Sequence, residues 1–254
     1  NHSAGLPQMP HDASMAKTCD WAGMCRTLAG MDLAFEPGSR THYHAITYSW
    51  LIGEPACRAT GKTFPQILHD EVSAPLGLDG AFIGIPDRVA HLVTPIEAIT
   101  PPPPPADLTA PPPAAPSVFD DVIPAWVKPL EAWLNRPDVQ RACIPASNGI
   151  MNARSVAAHY AGLVGDGLGG VRLLSEVGLE EALRATGPDP RRGLGYGLYG
   201  PDDPSGRFGH GGYGGSLGYG DRRNAFAFGL ARRRMSDPGV ADQVGGLIRE
   251  TVGI

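Results

Sequence analysis

Apolar positions recur at helical spacing through much of the first half of the chain. Between residues 13 and 29, Met15, Trp21, Met24, Cys25 and Leu28 stand three, four and seven apart. That is one face of an amphipathic helix, and Gly30 is a natural stop. Residues 46–53 are apolar on nearly every face, which predicts a helix buried in the body of a domain, ended or kinked by Pro55. Phe64, Ile67, Leu68 and Val72 predict a helix over 64–74, stopped by Pro75. Residues 81–85 make a short strand candidate. Further on, 118–134 and 153–163 read as helices, the second preceded by a Ser147-Asn148-Gly149 turn, and Ser175 is placed to cap a helix over 175–185.

From Gly193 the pattern changes. Residues 194–199, 207–210, 216–219 and 224–232 are short segments separated by glycine or aspartate turns, as in an antiparallel meander. Val240, Val244, Leu247, Ile248 and Thr251 then predict a closing helix over 240–252. Helices, consecutive strands and a covering helix make an α+β arrangement. No internal repeat is evident.

Prolines divide this pattern. Of 26 in the chain, nine lie between Pro101 and Pro116. They cannot donate ladder hydrogen bonds and favour an extended polyproline helix, so 97–117 reads as a linker or surface loop. The expected organisation is a mostly helical lobe over 1–96, this linker, a helical segment over 118–192, and strands with a terminal helix over 193–254.

Composition narrows the function classes. Charged residues are 19% of the 254 and the net charge is -5, which argues against a polyanion partner such as nucleic acid. The longest apolar stretches, 45–52 and 225–231, fall far short of the roughly 20 residues that span a bilayer, so no transmembrane segment is expected. Four cysteines form neither a CxxC pair nor a disulfide framework; they read as reduced, buried thiols and favour a reducing intracellular compartment or organelle. The first residue is Asn1, with no signal-peptide pattern after it, as in a processed or truncated piece.

Several short motifs carry possible chemistry. Gly209 to Gly214 spells GxGxxG, but it leads into a glycine turn and a strand pattern rather than the helix a dinucleotide site needs. Gly61-Lys62-Thr63 resembles the end of a phosphate loop, yet Ala56 stands where its first glycine belongs. His42 and His44 alternate around Tyr43 and could share a metal, or simply line a cleft. Ser14 and Lys17 have the spacing of a serine activated by an amine, or of an ordinary helix cap. Tyr43 comes after a Glu36-Pro37-Gly38-Ser39 turn and precedes an apolar helix. A phenol fixed there could exchange a proton with a nucleophile, or be a half-buried core tyrosine.

In order along the chain, these segments resemble the serine hydrolase family that contains class C β-lactamases, D-alanyl-D-alanine carboxypeptidases and related esterases. Asn1 to Pro7 is similar to the family's His-Thr-Ser-Gly-Leu segment. Glu36 to Arg40 leading into Tyr43 to Glu54 resembles its Pro-Gly, Tyr-x-Asn and Leu-x-Gly block. Gly61-Lys62-Thr63 through Pro75-Leu76-Gly77 matches a further stretch. Gly209-His210-Gly211-Gly212 resembles the strand bearing Lys-Thr-Gly in β-lactamases and His-Gly-Gly in esterase-like relatives. The Tyr-His-Ala wording is similar to the esterase-like branch, including the domain that comes after ABC1 kinase-like domains in plants and algae.

The resemblance implies a β-lactamase/DD-peptidase-like fold, with an antiparallel sheet flanked by helices and a mostly helical lobe, incomplete at the amino end. It implies acyl transfer on a small ester or amide, with neither cofactor nor metal. Tyr43 corresponds to the base. His210 takes the place of the third-motif lysine, Gly211 and Gly212 come next on the same edge, and the Tyr213 N–H corresponds to an oxyanion donor. Two departures stand out. Ala45 replaces the asparagine of Tyr-x-Asn, and the family's Ser-x-x-Lys belongs ahead of the segment that starts at Asn1, so Ser14 and Lys17 do not match it. The expectation is therefore a portion that is inactive alone, completed by an upstream polypeptide or other subunits, or else a non-catalytic structural subunit.

Overall fold

The computed structural model describes residues 1–98, 122–200, 203–235 and 239–254. Most of the proline-rich stretch lies outside the described residues, although Glu97 at its start is fixed: its N–H donates to the Arg233 carbonyl (2.9 Å) and its carbonyl accepts from Met235 (3.0 Å).

The first helical lobe is more broken than periodicity predicts. The helix expected over 13–29 divides at Asp20, which adopts an extended conformation. A 3-10 turn, Lys17–Cys19, precedes it, and α1 (Trp21–Ala29) comes after. The Asp20 carboxylate accepts from the Gly23 N–H (2.9 Å), so the aspartate starts a new helix instead of continuing the old one. Helix α2 (Tyr48–Thr60) corrects the expectation for 46–53 in two ways. It runs through Pro55, and it is only half-buried, with Trp50 and Gly53 inside and Ile52 out. Pro55 is exposed, where the carbonyl it leaves unpaired can turn to water. Helix α3 (Phe64–Leu68) continues into a π-helical turn, His69–Ser73.

Past the proline stretch, Pro124 and Pro129 reduce the helix expected over 118–134 to a 3-10 turn, Ala125–Val127, and α4 (Leu130–Leu134); α5 (Pro137–Arg141) is next. This segment returns to the first lobe. Val127, Trp133, Val139 and Ile144 share one core with Met24, Leu28, Ile46 and Trp50. A two-stranded sheet pairs β1 (Ala81–Ile83) with β2 (Gly149–Met151), with Phe82 opposite Ile150.

The second lobe has three layers. Its antiparallel sheet has the order β3 (Gly197–Leu198), β4 (Arg207–Gly211), β5 (Leu217–Asp221), β6 (Phe226–Leu230). Helix α6 (Ala153–Ala161), capped by Asn152, crosses one face of β5 and β6. Leu217, Tyr219 and Phe228 on the other face pack against Ala241 of the closing helix, which lies over Gly239–Val252. Glycines set the α6 contact: a Cβ on Gly218 would stand 2.5 Å from the Tyr160 ring, and one on Gly229 2.5 Å from the Ala153 carbonyl oxygen. The run reads in sequence as turns, but it serves close packing as well. Helix α7 (Glu176–Leu183) begins where expected, the Ser175 hydroxyl accepting from Gly178. The closing helix, Gly239–Val252, is α8.

Candidate active site

Tyr43 is held by the chain on both sides of it. Gly38 turns the backbone at φ 84°, and residues 41–44 then run extended beside the first residues of the chain. The His42 N–H donates to the His2 carbonyl (3.0 Å) and the His44 N–H to His2 Nδ1 (3.2 Å). His44 is 1% exposed and clamps two segments of this wall. Its Nδ1–H donates to the His42 carbonyl (2.6 Å), and its Nε2 accepts from the Leu6 N–H (3.2 Å). The Thr47 hydroxyl donates to the Leu6 carbonyl (2.7 Å), closing the entry to α2.

This arrangement decides the histidine pair. His42 and His44 both approach Phe35, with ring centroids 6.4 Å away in each case, so they do share a side of the extended segment. Both nitrogens of His44 are nevertheless committed, leaving no lone pair for an ion. Among the described residues no group of three His, Cys, Asp or Glu is placed to hold a metal.

Around the phenol of Tyr43 lie His2, Tyr48 and Arg192. The His2 ring sits 4.6 Å from Tyr43 and 5.0 Å from Tyr48, and the Arg192 guanidinium carbon stands 5.5 Å from the centre of the Tyr43 ring. His2 has φ 61°, a left-handed conformation unusual outside glycine, of the kind that concentrates at functional sites. Burial, then the charge of Arg192, pushes its pKa down to about 3. With Nδ1 accepting from His44, the ring is neutral and carries its proton on Nε2. Burial raises the Tyr43 pKa, and Arg192 opposes that rise.

The opposite wall is the open end of β4. Pairing with β3 stops at Gly209, opposite Gly197, so the strand runs past its neighbour at His210 and Gly211. The Gly212 N–H donates to the Ser216 carbonyl (2.7 Å), toward β5; by strand alternation the Gly211 N–H faces the other way, toward the cleft. Tyr213 lies on the turn beyond, its side chain exposed. His210 opens onto the cleft surface, yet the protein packed around it, and secondarily Arg192, hold its pKa below the usual value. A cavity of about 400 Å³ lies along this edge, lined by Asp189, Arg192, Gly209, His210 and Gly211 among others.

Other motifs are used structurally. The Ser14 hydroxyl accepts from the Lys17 backbone N–H (3.2 Å), while the Lys17 amine pairs with Asp12 (2.5 Å), so serine and amine do not meet. Gly61 ends α2 at φ 69°, Lys62 pairs with Asp70 (2.9 Å), and Thr63 forms a capping box with Gln66. The GxGxxG run spans β4 and its hairpin. Cys25 and Cys143 are free thiols pushed up to about 12, chiefly by burial, and are inert accordingly.

Sequence reasoning missed Arg192. It lies in an Asp-Pro-Arg-Arg-Gly loop with no periodicity, and its Nε is buried without a hydrogen-bond partner, 3.4 Å from Asp189 Oδ2 in poor alignment. His2 belongs to the segment that resembles His-Thr-Ser-Gly-Leu, but that resemblance gives it no role, and its unusual φ has no signature in sequence.

The sequence model of the beta-lactamase family, described as Beta-lactamase, matches residues 1–252. The chain is 29% identical to a Mycobacterium tuberculosis (strain ATCC 25618 / H37Rv) protein described as "Esterase/beta-lactamase LipL", over 97% of the chain and 60% of that relative. The chain thus spans less than two thirds of its curated relative. Among solved structures, a family VIII carboxylesterase superposes with a TM-score of 0.78 at 28% identity, covering 94% of this chain and 67% of the other. A penicillin-binding protein homolog from Caulobacter crescentus gives 0.72 at 29%, covering 92% and 64%.

Proposed function

The chain belongs to the beta-lactamase family, and from that premise we propose that it forms part of a serine hydrolase acting by acyl transfer on a small ester or amide. In this reading a serine outside these 254 residues attacks the substrate carbonyl. Tyr43 takes the hydroxyl proton as the new C–O bond forms and returns it to the leaving alcohol or amine as the old bond breaks. Water then releases the acyl group. The substrate lies along His210, Gly211 and Gly212, and the Tyr213 N–H faces the developing oxyanion. Residues 1–96 carry the Tyr43 wall, the loop that ends at Arg192 stands beside it, and 193–254 carry the strand wall.

One observation carries the reading. Tyr43 and His210, from distant parts of the chain, both lie near Arg192, whose guanidinium carbon is 5.5 Å from the Tyr43 ring centre and which lines the β4 cavity with His210, while the His2 ring lies tilted against Tyr43 at 4.6 Å. The names of the relatives add that esterase and β-lactamase activities belong to this family. The test uses the native polypeptide containing these residues and a short-chain nitrophenyl ester. We expect an acyl-enzyme burst and a loss of roughly 10²-fold or more in kcat/KM for Tyr43→Phe, the scale of general acid–base effects. No burst, with wild type and Tyr43→Phe alike, sinks the enzyme reading.

A second reading rests on α8. Leu247 is 63% exposed and Val252 55%, and Ile248 and Ile254 are also exposed. With β6 at the end of the described sheet, this apolar stripe suits an upstream polypeptide or other subunit that completes the lobe. A structural subunit would keep such a contact and show no acyl-enzyme.

A further inference from the structure

Resting on that reading of Tyr43, we propose that Arg192 is its counter-charge: a positioning residue whose guanidinium, held over the phenol at the mouth of the β4 cavity, stabilises the phenolate.

The geometry comes first. A phenol in a half-buried wall loses its proton at a cost in solvation, and an opposite charge within about 4–6 Å offsets that cost. Arg192 supplies one, 5.5 Å from the ring centre. The other groups at this spot supply none. His2 is neutral with its proton fixed on Nε2, His44 has both nitrogens committed, and His210 is held below its usual pKa. Tyr48 and Tyr196 are phenols pushed up chiefly by burial, Tyr196 to about 12. Asp189 is the one carboxylate on the cavity wall, and its oxygen is 3.4 Å from Arg192 Nε in a geometry that makes no hydrogen bond. Asp189 is shared with Arg191, whose Nε lies 3.9 Å from it, so two guanidinium groups face one carboxylate here.

The element that positions the cation differs from the one that presents the substrate edge. Arg192 comes from the loop ahead of β3, whereas His210 sits on β4 itself. Charge and substrate edge can therefore be altered separately, which makes the inference testable at one residue.

The experiment is a pH titration of tyrosine ring carbons by NMR on the native polypeptide, with the Tyr43 signal assigned by its loss in Tyr43→Phe. Arg192→Gln is expected to raise the Tyr43 midpoint by about one pH unit, the lower end for an opposite charge at this distance. Arg192→Lys keeps a charge and should fall between the two. Arg191→Gln, a neighbouring cation on the same cavity wall, should leave the midpoint unmoved. In the ester assay, the rising limb of the kcat/KM profile should move to higher pH by the same amount in Arg192→Gln. An unchanged Tyr43 midpoint in folded Arg192→Gln overturns the proposal; if that variant does not fold, an unchanged midpoint in Arg192→Met, which also removes the charge, does so. Absence of a burst in wild type would instead overturn the enzyme reading, and the titration would still report on the pair.

Discussion

The two walls of the cleft are built by different means. The Tyr43 wall is irregular chain tied by side chains: His44 bridges Leu6 and His42, Thr47 reaches Leu6, and His2 receives the His44 N–H. The β4 wall is a backbone ladder in register with β5, and glycines of β5 and β6 behind it admit α6. The first wall therefore depends on the identity of a few polar side chains, the second on the absence of side chains. Equal-sized substitutions should act on the two walls through opposite mechanisms, one by leaving polar groups unpaired and the other by overfilling.

The sharpest test of that contrast removes the bridge. His44→Ala strands the buried Leu6 N–H and the part-buried His42 carbonyl, at about 1–3 kcal/mol each, so a loss of roughly 2–6 kcal/mol is expected in urea unfolding. Ester hydrolysis should fall with it, since the clamp next to Tyr43 is then lost. On the other wall, Gly218→Ala adds one methyl that meets Tyr160 at 2.5 Å and Val156 at 2.6 Å. Overpacking of this kind costs about 1–3 kcal/mol. The discriminating measurement is a second change. Tyr160→Leu in the Gly218→Ala background should recover part of that loss, whereas no apolar replacement nearby should rescue His44→Ala. Recovery in neither case would remove the distinction between the walls.

The walls also differ in how far they can be read from sequence. Local signals work where one residue does one job: Ser175 starts α7, and glycine and aspartate turns set off the short segments of β4 to β6. The resemblance to a known family points to Tyr43 and His210. Signals fail where two readings of a residue compete. Asp20 and the prolines at 124 and 129 outweigh apolar periodicity and cut helices short, while Pro55 on an exposed face does not. β1 falls inside the strand candidate at 81–85, whereas its three-residue partner β2, far along the chain, is too short for periodicity to mark. Arg192 is invisible in sequence because its importance comes from what folding brings to it. An arginine in a loop has no periodic pattern, and neither does an unusual φ at His2.

Acid should separate the walls by a smaller but graded effect. His2 and His44 in the Tyr43 wall both have pKa values lowered mainly by burial, His2 to about 3. In the unfolded chain they would titrate near 6.5, so between that value and their folded values the unfolded state binds more protons. Their contribution to stability is complete above about pH 6.5 and is lost as pH falls, at up to ~1.4 kcal/mol per pH unit for each histidine that folding keeps neutral. His159, on α6 beside the sheet, is lowered to about 4 by burial and adds to the same slope. Global unfolding therefore cannot tell the walls apart, but local exchange can. From pH 7 to 5, after correction for intrinsic rates, the Leu6 and His44 amides should lose protection against hydrogen exchange earlier than that of Gly212, whose acceptor is a main-chain carbonyl with no titrating partner. Equal loss at all three would mean that the histidine clamps open only when the whole fold does, and the Tyr43 wall would then be as much a part of the cooperative core as the sheet.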